Sequence, residues 1–126
     1  MTTPKIVVVT GSRRWSDKAS IWNALFEQAP NLVIHGGANG ADALAGRWAN
    51  ENAVTCLVVP ALWEGHGKKA GTIRNIDMLA IANDLKEASG AELIVLGFPA
   101  KDSIGTKHCM SSATQMGMLV LNKGEL

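Results

Sequence analysis

Three glycine-bearing stretches and two arginines in this sequence are of the types that hold a phosphate group. The stretch His35-Gly36-Gly37-Ala38-Asn39-Gly40-Ala41-Asp42 follows an apolar run and leads into a segment of helical length. A strand-to-helix turn of this kind exposes backbone N–H groups at the positive end of a helix, where an anion is favoured. Asp42 would sit in the first helical turn, where it can orient a ribose hydroxyl or a water, or simply complement the helix dipole. The stretch is not a Walker A loop, which ends in Gly-Lys-Ser/Thr. Nor is it the dinucleotide pattern GxGxxG, which should follow the first strand.

Gly11-Ser12-Arg13-Arg14-Trp15 follows the first apolar run. Small residues there let the backbone approach a ligand, and an arginine can fork onto a phosphate or carboxylate; the plainer alternative is a tight turn in which Ser16 or Asp17 caps the next helix. Gly105-Thr106 opens the last helical segment with free N–H groups and a hydroxyl, as a second anion site or as an ordinary threonine cap. Between them lies a long connection, residues 60–75, carrying Trp63, His66, Arg74 and Asn75. Long loops in small domains commonly serve as lids or binding segments. Trp63 can stack on a base or cover the core edge, and His66, between two glycines, reads as a solvent-exposed loop residue. Arg74 and Asn75 are expected to open the third helix, with Arg74 on the face of Met78 and able to point back at the sheet edge.

The elements that must position these residues follow from hydrophobic periodicity. Lys5–Thr10, Leu32–His35, Val54–Val59, Glu92–Gly97 and Met118–Leu121 are short, rich in Val, Ile and Leu, and do not alternate, the pattern of strands buried on both faces. Ser16–Gln28, Ala41–Asn52, Thr72–Ala88 and Thr106–Met116 have helical length. Ala41, Ala45 and Ala49 form a small-residue stripe beside Leu44 and Trp48, which lets that helix pack close to a sheet. Alternating strands and helices require right-handed crossovers and a parallel sheet covered by helices on both faces. The expected architecture is an α/β doubly wound, Rossmann-like sheet in the order 3-2-1-4-5. Ligands in such sheets bind where the order reverses, beside the carboxyl ends of strands 1 and 4.

Composition limits the rest. Residues 1–126 are expected to form a single domain, since 126 residues with 47% hydrophobic and 18% charged content suit one core and mark no linker or tail. A formal charge of +1 supplies no field to hold a nucleic-acid backbone nonspecifically, which argues against a nucleic-acid partner. Cys56 and Cys109 lie far apart in apolar runs without CxxC spacing and read as buried reduced thiols. The residues imply no metal and no cofactor. No basic stretch with an apolar core follows Met1, and no run approaches the ~20 apolar residues that span a bilayer, so a cytoplasmic location and no membrane partner are expected.

Taken together, Val9-Thr10-Gly11-Ser12-Arg13-Arg14-Trp15, His35 to Asp42, Pro60-Ala61-Leu62-Trp63, Gly67 to Met78 and Gly105-Thr106 resemble, in order and spacing, the SLOG superfamily of Rossmann-like nucleotide-binding domains, in particular its small YpsA/YspA-related branch of bacteria and their phages. The resemblance implies a phosphate cradle at Gly105 and Thr106, a ribose and phosphate shelf from Gly36 to Asp42, and a ligand-facing Arg74. Ligand contacts are accordingly expected at Gly11, Ser12, Arg13, Gly36, Gly37, Asn39, Gly40, Asp42, Trp63, Arg74, Asn75, Gly105 and Thr106. Two departures bear on chemistry. The phosphoribohydrolases of the superfamily carry a catalytic Glu after a Gly-Gly-x-Gly-Thr stretch, whereas here Thr106 leads into Lys107, His108, Cys109 and Met110. The residue before the loop tryptophan, usually acidic in close relatives, is Leu62. The leading expectation is therefore a noncatalytic binder of a nucleotide or nucleotide-derived molecule. The alternative is a nucleotide N-glycosidase with Asp42 as the carboxylate that an oxocarbenium-like state requires. A third is a single-strand nucleic-acid adaptor, for which Trp15 and Trp63 are the available stacking residues. Relatives commonly self-associate, so a homo-oligomer is compatible with the sequence, which marks no interface for it.

Overall fold

A computed structural model describes residues 3–124. Five parallel strands form one sheet in the order β3-β2-β1-β4-β5, with β1 at Lys5–Gly11, β2 at Leu32–His35, β3 at Thr55–Val58, β4 at Glu92–Phe98 and β5 at Leu119–Asn122. The helices are α1 (Lys18–Gln28), α2 (Ala41–Glu51), α3 (Trp63–His66), α4 (Ala70–Ser89) and α5 (Ile104–Gln115), with a 3-10 turn at Gly67–Lys69. The doubly wound order expected from the sequence is the order observed.

The two central strands carry the fold. β1 and β4 pair over seven positions, from Lys5 with Glu92 to Gly11 with Phe98. Successive side chains of a strand point to opposite faces, and here both faces are apolar. Val7, Val9, Val33, Ile94, Leu96 and Phe98 pack with Ile21, Leu25, Ala41, Ala45, Trp48 and Ala49 of α1 and α2. Ile6, Val8, Ile34, Leu93 and Val95 pack with Met78, Leu79, Ala82, Cys109 and Ala113 of α4 and α5. Each fully buried aliphatic or aromatic side chain contributes about 1.5–3 kcal/mol of transfer free energy, so a continuous apolar run is what a strand between two helix layers needs. The alanine stripe of α2 lies buried against the sheet as its spacing predicts.

The outer strands depart from the expectation of burial on both faces. β3 and β5 are edge strands of four residues each, and most of their side chains are exposed or half-buried. Cys56, expected in the core, is consequently exposed on β3, whereas Cys109 is buried. A Val- and Leu-rich run reads alike at the centre and the edge of a sheet, because strand order decides which face gets covered.

The connection before α4 is also more ordered than a loop. Helix α4 starts at Ala70, so Arg74 and Asn75 fall in its second turn rather than opening it. Preceding residues Trp63–His66 form a single helical turn. His66 is exposed, as expected of it.

Candidate functional site

The loops leaving the carboxyl ends of β1 and β4 meet where the strand order reverses, and a cavity of about 650 Å³ opens there. Gly11, Ser12, Arg13, Asp42, Trp63, Arg74, Asn75, Gly105 and Thr106 line it, all of them expected site residues. A smaller cavity of about 240 Å³ adjoins it and is lined by Gly36, Gly37 and Asn39, with Pro60 and Ala61. Gly40 lines neither. It holds φ +73°, and a Cβ on it would lie 2.2 Å from the Ser12 carbonyl oxygen, so its role in the structure is to let α2 start against the β1 turn.

That turn is tied tightly. The Ser12 N–H donates to the Phe98 carbonyl at 3.0 Å, while the Ser12 carbonyl accepts from Ala41 at 3.1 Å and Trp15 at 3.2 Å. Its hydroxyl accepts from the Arg14 N–H at 3.1 Å. Asp17 caps α1 by accepting from Ser20 N–H. The Trp15 indole N–H donates to the Asp17 carbonyl and the Ser20 hydroxyl, and its ring stands edge-on to Phe98 at 5.5 Å. Trp15 is thus a packing residue, and the stacking role open to it in the sequence is taken up by the core. Trp63 remains 48% exposed with the Arg13 guanidinium 5.4 Å from its ring centroid, a cation–π contact worth about 0.5–1 kcal/mol at an exposed site.

Two neighbouring residues of α4 join the glycine turns. Arg74 Nη1 donates to the Gly36 carbonyl at 2.6 Å, and its Nε donates to Asn75 Oδ1 at 2.9 Å. Asn75 Nδ2 donates to the Gly105 carbonyl at 3.2 Å. The turns after β2 and β4 therefore lie on one edge of the molecule, spanned by a chain of three hydrogen bonds. Gly36 is required for this, since a Cβ there would lie 2.2 Å from Arg74 Nη1.

The Gly36–Asp42 turn differs from the open shelf expected of it. Asp42 Oδ2 accepts from the Gly36 N–H at 2.9 Å and the Ala38 N–H at 3.3 Å. The Gly37 N–H donates to His35 Nδ1 at 2.9 Å. Three amides that were expected to meet an anion are thus satisfied within the turn, because a carboxylate six residues after a glycine at a strand end can fold back onto the turn's own donors. Burial pushes the Asp42 carboxyl up to about 6, against the opposing pull of the Ala38 and Gly36 amides and of the Arg74 and Arg13 guanidiniums. His35, which sequence reasoning left without a role, is buried; desolvation and the nearby Arg74 charge lower its pKa. Its neutral ring accepts through Nδ1, which places the proton on Nε2. No spacing in the sequence marks this role; in the structure Gly46 of α2 makes room for the ring, since a Cβ there would come within 2.9 Å of His35 Nε2.

Helix α5 begins at Ile104, earlier than expected, and Ser103 precedes it. No side chain caps it: the Ser103 hydroxyl accepts from the Ala100 N–H at 2.9 Å instead. An uncapped helix start leaves orphan N–H groups and the positive end of the dipole, and Gly105 and buried Thr106 both border the cavity here. Arg14, Lys101 and Ile104 also border it and were missed, because nothing in their local spacing distinguishes them from solvated loop residues. Beneath, burial pushes the Cys109 thiol up to about 11, against the opposing pull of the Thr10 hydroxyl. Arg13, Arg14, Arg74 and Lys101 thus face the cavity against Asp42 and Asp102, a local positive balance that the net charge conceals. Among the described residues no three His, Cys, Asp or Glu side chains gather to hold a metal, and no helix is long and apolar enough to cross a membrane.

A five-stranded doubly wound sheet with glycine turns at its reversal point defines the Rossmann-like class. Within that class the chain belongs to the SLOG superfamily: residues 5–66 match the YspA, cpYpsA-related SLOG family. It is 40% identical to the Gene 61 protein of Mycobacterium phage D29, over 94% of this chain and 96% of that one. Its fold is similar to the X-ray structure of DNA processing protein A from Streptococcus pneumoniae, with a TM-score of 0.52 and 16% identity over 94% of this chain. The chain spans 58% of that structure's length.

Proposed function

We propose that this protein binds a nucleotide or nucleotide-derived molecule, by its phosphate and ribose, at the carboxyl edge of the sheet, as a sensor or binding protein. The carrying observation is the convergence of two guanidiniums, Arg13 and Arg74, with the uncapped start of α5 on one cavity of about 650 Å³. That volume falls within the roughly 300–1,000 Å³ range of small-molecule sites. The phosphate is cradled by Gly105 and Thr106 at the α5 N-terminus, with Arg74 supplying charge-assisted hydrogen bonds. Asp42, its Oδ2 engaged by Gly36 and Ala38, fixes the turn behind the ribose. A panel of nucleoside monophosphates in a thermal-shift assay tests the reading. Binding to the folded state alone raises stability by about 2.7 kcal/mol at a hundredfold excess over Kd. The nucleotide should be recovered unchanged after long incubation; no shift with any nucleotide at millimolar concentration would refute the reading.

One observation favours a second reading, a nucleotide N-glycosidase. Asp42 is a buried carboxyl that lines the cavity and titrates at about 6, near the range in which a general acid or base works at neutral pH. Release of free base from a nucleotide panel, abolished in Asp42→Asn while binding persists, is the result this second reading requires.

A further inference from the structure

The site has two lobes. Arg13, Ala38, Trp63 and Arg74 line both the large cavity and the cavity of about 240 Å³ beside it, so these four residues form the waist where the two join. Gly36, Gly37, Asn39, Pro60 and Ala61 line the rest of the small lobe. It lies below the roughly 300 Å³ at which pockets for whole drug-sized molecules begin, so it suits a terminal fragment of a ligand rather than a whole one. Both arginines stand at the waist. Arg74 is fixed in plane by the Gly36 carbonyl and Asn75 Oδ1, and its Nη2 has no hydrogen-bond partner among the described residues. Arg13 lies over the Trp63 ring, which leaves the rim of its guanidinium free to donate. Anion recognition in the small lobe falls to these side chains, because the amides of Gly36, Gly37 and Ala38 are already engaged by Asp42 and His35.

Two guanidiniums at a constriction between a nucleoside-sized lobe and a lobe suited to a terminal fragment match two consecutive phosphates. We infer that the ligand class is a nucleoside diphosphate, with its base and ribose in the large lobe, its α-phosphate between the α5 N-terminus and Arg74, and its β-phosphate passing Arg13 into the small lobe. This inference rests on the proposed nucleotide-binding reading and deepens it.

Calorimetric titration of the full chain with AMP and ADP, and with GMP and GDP, separates the two. The expected result is that the diphosphate of at least one pair binds ten or more times tighter than its monophosphate. Ala61→Trp, which plugs the small lobe from a half-buried loop position, should bring the ratio of diphosphate to monophosphate affinity down to about one; Ala61→Leu is a milder plug expected to lower the same ratio. Equal affinity of wild type for mono- and diphosphate, or a diphosphate advantage that survives in a folded plugged variant, overturns the inference while leaving nucleotide binding intact. Failure of every nucleotide to bind overturns both readings, and the monophosphate titration identifies that case.

Discussion

Burying Asp42 costs its ionised form solvation that two amides and two arginines restore only in part, which is why its carboxyl titrates at about 6 instead of 3.8. The folded state therefore holds a proton that the unfolded chain has released between those values, so the contribution is full below pH 3.8 and is lost as pH rises through 6. Two pK units correspond to about 3 kcal/mol. Asp42→Asn removes this titration, and its stability relative to wild type should rise by about that amount between pH 4 and pH 7 in urea denaturation. His35 works in the opposite direction: its lowered pKa means stability is lost on acidification, once protonation turns Nδ1 into a donor facing the Gly37 N–H. The comparison with Asp42→Asn isolates the carboxyl because His35 is common to both proteins. Asp42→Ala, in contrast, strips the Gly36 and Ala38 amides of their acceptor and should cost about 1–3 kcal/mol even at pH 4.

At the scale of elements, the site depends on how closely α2, α4 and α5 approach the strand ends. Gly40→Ala places a side chain at φ +73° against the Ser12 carbonyl, and should destabilise the fold by about 1–3 kcal/mol by strain and overpacking, read as a lower urea midpoint. Thr106→Val keeps the volume of the first turn of α5 and removes only its hydroxyl. It should leave the melting temperature in place and weaken nucleotide binding by up to about tenfold, the net value of one hydrogen bond. Element type and order were legible in the sequence because buried parallel strands and crossover helices differ in length and in punctuation. Element edges were less so. The first turn of α4 was hidden because Lys69, Ala70 and Gly71 carry no cap signal, and the structure likewise shows no side chain capping that helix.

Across the whole molecule, the sheet order could be read from the alternation of strands and helices, and it alone brings residues from four separate loops to one edge. That Arg13, Asp42, Trp63, Arg74 and Thr106 would share a cavity followed from this topology together with the glycine turns. What did not follow was which amides stay free. Whether a turn's N–H groups meet a ligand or the protein's own carboxylate depends on side-chain conformation, which spacing does not encode, and Asp42 and His35 decide it here. The exposure of Cys56 was equally hidden, since it depends on β3 having no neighbour on its outer side. The local charge of the cavity was masked by a near-neutral total of +1.

The central claim is that this edge of the sheet grips a phosphate carried on a nucleoside. Its most direct test is isothermal titration of the wild-type chain and of Arg74→Ala with a nucleotide and with the corresponding nucleoside. Loss of a charge-assisted contact costs about 1.5–3 kcal/mol, so the nucleotide should bind wild type saturably and bind Arg74→Ala roughly ten- to a hundredfold more weakly, while the nucleoside binds both proteins weakly and alike. Nucleoside and nucleotide binding wild type with equal affinity, or a nucleotide affinity untouched by the loss of Arg74, would contradict it.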